Sequence, residues 1–168
     1  MRSVDLGSSR FQGGLSVSRA TVWTIGHSNR SAEYFVGLLK EHNIEVLVDV
    51  RSFPTSKVLH FKKDQMEKWL PDCGVEYIWL GKELGGYRRG GYEAHMKTEL
   101  FGEGMKKLLE IAREKRACVM CLEPNPKHCH RRYISAQLER RGIEVVHILK
   151  KEQAGRMKLI EVLDENIH

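Results

Sequence analysis

The chain has no run approaching the roughly 18 consecutive apolar residues that a membrane-spanning helix needs, so a transmembrane segment is excluded and no membrane partner is expected. Its first twenty residues, M-R-S-V-D-L-G-S-S-R-F-Q-G-G-L-S-V-S-R-A, offer neither the apolar core nor a convincing cleavage site of a secretory signal peptide, which points to a cytoplasmic protein. Nucleotide signatures are missing as well. No G-x-x-x-x-G-K-[ST] occurs, and no G-x-G-x-x-G follows the first predicted strand, so neither nucleotide hydrolysis nor a standard dinucleotide fingerprint is supported. No zinc spacing is recognisable among Cys121, Cys129, His128, His130 and His27, and neither a metal nor a cofactor is expected. There is no internal repeat, and low complexity is confined to the Ser- and Gly-rich start.

What remains is the composition of an ordinary globular domain, 41% apolar and 30% charged over 168 residues, a length that gives one domain a real core. Four cysteines without a secretory signal read as reduced thiols, each a small hydrophobe, a ligand or a nucleophile. A net charge of +6 favours an anionic partner. A phosphorylated or nucleotide-like small molecule is preferred. Nucleic acid, met by Lys57, Lys62, Lys63, Arg88, Arg89, Arg131 and Arg132, is the less favoured alternative.

Residues 1–20 read as a poorly ordered extension, 21–150 as the folded domain, and 151–168 as a tail that docks as a short helix or edge strand. Within the domain, β-branched and apolar runs at Thr21 to Ile25, Ile44 to Val50, Val75 to Leu80, Ala117 to Leu122 and Ile143 to Leu149 predict strands. Between them, apolar residues recur at helical spacing from Ser31 to His42, from Lys62 to Cys73 with a stop near Pro71, from Tyr92 to Thr98, from Gly102 to Lys115, and from Cys129 to Arg141. Phe35, Trp69, Trp79 and Leu109 fall at core positions. Strands alternating with helices predict a single Rossmann-like α/β domain of three layers, a mainly parallel sheet of about five strands with helices on both faces.

Ligands of such sheets bind outside the carboxyl ends of the strands, and polar chemistry follows each predicted strand here. The richest stretch is A-C-V-M-C-L-E-P-N-P-K-H-C-H-R-R-Y-I, Ala117 to Ile134, where the thiols of Cys121 and Cys129, the His130 imidazole, the Glu123 carboxylate and the guanidiniums of Arg131 and Arg132 meet at one strand-to-helix crossing. A thiol at a helix N-terminus beside His130 and two arginines can become a thiolate near neutral pH, which makes Cys121 and Cys129 candidate nucleophiles. Cys118 is set aside as a partner of Cys121, because residues three apart on a strand point to opposite faces. His27 and His130 are candidate acid–base groups. Ser28, Arg51, Glu83, Gly85, Gly86, Glu123 and Arg131 are candidates for holding an anion, with Asp49 as the tether of Arg51. The same residues also fit a structural reading, with Cys121 packed as a small hydrophobe, His130 as a cap and Glu123 in a salt bridge.

Four motifs in order, T-I-G-H-S-N-R-S (Thr24 to Ser31), V-D-V-R-S-F-P-T-S-K (Val48 to Lys57), E-L-G-G (Glu83 to Gly86) and M-C-L-E-P-N-P-K-H-C-H-R (Met120 to Arg131), closely resemble the bacterial and archaeal family known as domain of unknown function 488. The resemblance covers about Thr21 to Leu149. It implies a small cytoplasmic α/β protein and brings no reaction with it. A weaker likeness links Val119-Met120-Cys121, the following loop, Arg131 and the helix to Gly142 with rhodanese-type sulfurtransferases and related cysteine phosphatases, which implies a persulfide on Cys121 or Cys129 as an alternative chemistry. The loop here is longer than the anion cradle of those enzymes and contains two prolines, which lack N–H donors.

Overall fold

The computed structural model describes residues 20–150. The expectations for residues 1–19 and 151–168 lie outside them. In chain order the elements are β1 (Thr21–Gly26), α1 (Ala32–Glu41), β2 (Val46–Asp49), α2 (Lys63–Asp72), β3 (Glu76–Trp79), α3 (Gly81–Leu84), α4 (Tyr92–His95), α5 (Glu99–Glu114), β4 (Ala117–Cys121), α6 (Arg131–Arg140) and β5 (Glu144–Ile148), with 3₁₀ turns at Leu59–Phe61 and Pro126–His128. The sheet runs β3-β2-β4-β1-β5 and every pairing is parallel, as the continuous apolar runs predict.

β4 lies at the centre, and all its residues are buried. The period of two sorts them into two cores. Ala117, Val119 and Cys121 pack under α5 and α6 with Phe101, Met105, Leu108, Ile134 and Leu138. Cys118 and Met120 face α1 and α2 with Phe35, Leu38, Leu39, Met66 and Leu70. Cys118 and Cys121 therefore do lie on opposite faces of the sheet. Each fully buried Leu or Phe here contributes roughly 1.5–3 kcal/mol of transfer free energy.

Local signals set the element ends. Ser31 caps α1 by accepting from the Tyr34 amide at 3.1 Å, and Thr98 does the same for the Phe101 amide of α5 at 3.2 Å. α2 continues one residue past Pro71, since only the amide it lacks is lost there, and the Cys73 amide closes the turn on Leu70 O at 2.9 Å. Phe35 is fully buried, whereas Trp69 and Trp79 are half-buried. Each tryptophan ties a loop down through Nε1, to His60 O at 2.7 Å and Arg51 O at 2.8 Å respectively.

Candidate functional site

The register levels the carboxyl ends of the three inner strands. Gly26 is opposite Cys121, and Asp49 is opposite both Met120 and Trp79, so the residues that follow emerge side by side. The β1–β4 pairing then extends past the strands: His27 N donates to Cys121 O at 2.8 Å and Ser28 N to Leu122 O at 2.9 Å. Glu123 and Pro124 fold back across β1, and a Cβ at position 26 would lie 1.9 Å from Glu123 O. Only glycine admits that crossing. Gly86 serves a similar end, since a Cβ there would stand 2.5 Å from His130 Nδ1.

Cys129 is the centre of the arrangement. Extended backbone at Cys129 follows the Pro126–His128 turn, and its sulfur caps α6, accepting from Arg131 N at 3.2 Å and from Arg131 Nε at 3.4 Å. The Cys121 thiol and the His130 ring also hydrogen-bond to it. His130 Nε2 donates to Val50 O at 2.9 Å, and Nδ1 lies against Gly86. The Cys121 hydrogen bond, followed by those from His130 and the Arg131 amide, outweighs burial and drives the Cys129 thiol far below the usual range. Cys121 is driven the other way, by its hydrogen bond to Cys129 and by burial, and keeps its proton. The two thiols are thus pushed in opposite directions, Cys129 down and Cys121 up.

Arg131 is fully buried, and among the described residues no carboxylate lies within ion-pair distance of it. Its remaining donors hold Thr24 Oγ1 at 3.0 Å, Glu123 O, and Pro124 O at 3.3 Å. A buried guanidinium needs a counter-charge, and the Cys129 sulfur is placed to supply it.

Arg51 is engaged just as completely. Nε and Nη2 grip Asp49 at 2.9 and 2.7 Å, Nη2 also points at Met66 Sδ, and Nη1 serves Thr55 O at 3.1 Å and His27 Nε2 at 3.3 Å. None of its N–H groups is left to hold an anion. His27 Nδ1 is 2.8 Å from Ser28 O and therefore carries the ring hydrogen, so Nε2 accepts from Arg51 and the ring is neutral. Burial first, then the nearby Arg51 charge, lowers its pKa from 6.5 to about 4. Between those values the unfolded chain binds a proton that the folded one refuses, so stability rises with pH. This contribution is complete above pH 6.5 and is lost as the pH falls to about 4, and it amounts to about 3 kcal/mol. Urea unfolding at pH 4.5 and 7 is expected to show His27→Asn losing less stability on acidification than wild type. Equal losses would mean that His27 is not the group responsible.

Two neighbouring cavities open at this end of the sheet. One, of about 400 Å³, is lined by Cys121, Cys129, His130, Arg51, Glu123 and Gly86, with Phe53, Tyr87 and Leu122 at its exposed edge. The other, of about 510 Å³, holds Ser28 and Lys57 and shares Thr55, Leu122 and Glu123 with the first. This geometry sets the expected site residues among the following partners. His27 stands behind Arg51 as a structural acceptor, and Arg51 and Arg131 act internally. Glu123 serves Arg131 through its carbonyl. The turn of α3 carries Glu83 away toward α5, where it pairs with Lys107 at 2.8 Å, and Gly85 packs beneath Ser52. Three of the basic residues considered for nucleic acid are engaged within the protein. Arg131 is buried, Arg88 holds the carbonyls of Gly85, Gly81 and Lys82, and Lys63 pairs with Glu67. Phe53 and Tyr87 were not anticipated, although aromatic residues in R-S-F-P and G-G-Y-R sit outside any strand or helix period and so have no core position to fill.

Fold and site together define a three-layer, all-parallel α/β protein with Cys121 and Cys129 side by side on the crevice at the strand carboxyl ends. The family model described as Domain of unknown function DUF488 matches residues 31–91 and 86–138, and the chain belongs to that family. The match takes in Arg51, Gly86, Cys121, Cys129 and Arg131. No curated protein matches the chain. Among the described residues no helix is long and apolar enough to cross a membrane.

Proposed function

We propose that the protein is an enzyme of nucleophilic group transfer, in which the Cys129 thiolate takes a group from a small molecule held in the 400 Å³ cavity. The observation that carries this reading is the Cys129 sulfur with Arg131 N, Arg131 Nε, Cys121 and His130 all directed at it beside a buried guanidinium. Purely structural cysteines in apolar cores have their pKa raised, as Cys118 does. In the first half-reaction the sulfur lone pair forms a bond to the electrophilic atom. The bond to the leaving group breaks, and that group departs with its electron pair and takes a proton from solvent. Water or a thiol then takes the group from sulfur, releases a proton, and restores the thiolate. Cys121 is a positioning residue whose S–H holds the charge on Cys129. The net charge of +6 still favours an anionic molecule, but no guanidinium clamps it.

The test is the rate of iodoacetamide alkylation against pH, followed by intact mass and peptide mapping. Cys129 is expected to react first, with an inflection below about pH 7. Cys121→Ser keeps a hydrogen-bond donor and should hold that inflection low, whereas Cys121→Ala should raise it toward the free-thiol value of about 8.5. A Cys129 that reacts only near that value, or only after unfolding, overturns the proposal.

The contact between Cys121 and Cys129 favours a second reading, sulfur transfer through Cys129. Attack on thiosulfate would break its S–S bond, release sulfite with the electron pair, and leave a persulfide on Cys129. Cyanide would then remove the terminal sulfur as thiocyanate. Thiocyanate formation that disappears in Cys129→Ser supports this reading, and its absence with thiosulfate and other sulfane donors removes it.

A further inference from the structure

Resting on that reading, we infer that the mouth of the Cys129 cavity recognises a planar aromatic ring, so that the substrate class is a ring-bearing small molecule whose electrophilic end reaches the sulfur. Among the described residues six large apolar side chains are exposed, and three of them, Phe53, Tyr87 and Leu122, line this one cavity. Scattered singly they would need no explanation, but gathered at the entrance to a reactive thiol they form a surface that association would cover.

Phe53 and Tyr87 are 65% and 79% exposed, yet they meet each other edge to face, with ring centroids 5.3 Å apart and planes at 65°. They come from different loops, one after β2 and one after α3, and each loop is fastened from below. Tyr87 N donates to Ser52 Oγ at 2.9 Å, and Arg88 Nε holds Gly85 O at 2.9 Å. On the other side Thr55 N closes a tight turn on Phe53 O at 2.7 Å, while Arg51 Nη1 grips Thr55 O at 3.1 Å. The rings are thus presented on a frame already ordered, which lowers the entropy that a ligand must overcome. An edge-to-face pair leaves ring surface uncovered, and a third ring can add to it in the offset or edge-on geometries that aromatic groups favour. Because every Arg51 N–H is engaged internally, Arg51 does not read charge at this mouth.

The experiment compares alkylation of the whole protein by iodoacetamide, N-benzyl iodoacetamide and N-cyclohexylmethyl iodoacetamide, each rate divided by that of free glutathione. In all three a C–S bond forms as C–I breaks and iodide leaves, so only the appended group differs. The benzyl reagent is expected to label Cys129 roughly 10-fold faster than iodoacetamide, with saturation, and to exceed the cyclohexylmethyl reagent. Phe53→Ala and Tyr87→Ala should each remove about 3-fold or more of that advantage, read as the ratio of the benzyl to the iodoacetamide rate within each variant. Equal rates for the benzyl and unsubstituted reagents overturn the inference, as do equal rates for benzyl and cyclohexylmethyl, or an advantage that survives both variants. Failure of iodoacetamide itself to find a low-pH thiolate would instead overturn the reading on which this one rests.

Discussion

Arg131→Met is expected to lower stability by roughly 1–3 kcal/mol and to move the Cys129 alkylation inflection toward that of a free thiol. Methionine fills a similar length without charge or donors. The substitution takes a donor from three acceptors: Glu123 O, half-buried, for which an unpaired carbonyl costs about 1–3 kcal/mol, Thr24 Oγ1, which keeps His147 Nδ1 at 2.6 Å, and Pro124 O on an exposed residue. Removing the desolvated guanidinium offsets part of that cost. It also takes away the charge opposite the Cys129 sulfur and the Nε–H donor to it, while the Arg131 amide stays in place as a backbone group. Arg131→Lys separates these effects. A lysine keeps the charge but cannot fork to three acceptors, so it should lose most of the stability while retaining more of the depressed thiol pKa. Urea denaturation and alkylation against pH give the two readouts. A methionine variant as stable as wild type, with the inflection unmoved, would show that Arg131 neither fastens the loop nor holds the thiolate.

The sequence made the sheet legible because parallel strands buried on both faces must be apolar throughout, and five such runs are separated by helices of the right length. It also showed which loops would be neighbours, since level strand ends in a parallel sheet bring together whatever residues come next. Which donors would already be engaged was harder to see. Arg51 looked free to grip an anion because D-V-R shows only its tether to Asp49, whereas Thr55 and His27 reach it through folded loops. Arg131 did carry a signal: it lies on the same helical stripe as Ile134 and Leu138, which places it inward, yet adjacency to Cys129 and His130 made it read as a surface cation. Glu83 misled for the opposite reason. It follows a strand end as His27 and Arg51 do, but one turn of helix aims it at α5. The opposed shifts of Cys121 and Cys129 depend on a contact across an eight-residue separation, which no spacing rule supplies.

Asp49→Asn tests whether the buried network beneath the cavity positions its rim. Asp49 is fully buried and accepts from Arg51 N, Nε and Nη2 and from Tyr77 OH. Burial opposes the Arg51 charge, and the Asp49 carboxylate more than restores it. Burial and the same carboxylate together push Tyr77 upward, so its hydroxyl remains a donor. An asparagine amide offers one acceptor oxygen and sets an N–H₂ against either Arg51 or Tyr77, leaving a buried guanidinium without a counter-ion. A loss of roughly 3–5 kcal/mol is expected. Tyr77→Phe alone should cost about 1 kcal/mol, and the double variant should fall short of the sum, because the two residues share one carboxylate oxygen. The effect should also reach the mouth of the cavity. Arg51 holds Thr55 O, and Phe53 lies on the turn between them, so Asp49→Asn in its folded state should lose more of the benzyl reagent's advantage than of the iodoacetamide rate. If both reagents slow equally, Asp49 stabilises the fold without positioning the rim. If neither slows, the Phe53 turn is held by its own hydrogen bond from Thr55 N, and the network beneath it serves stability alone.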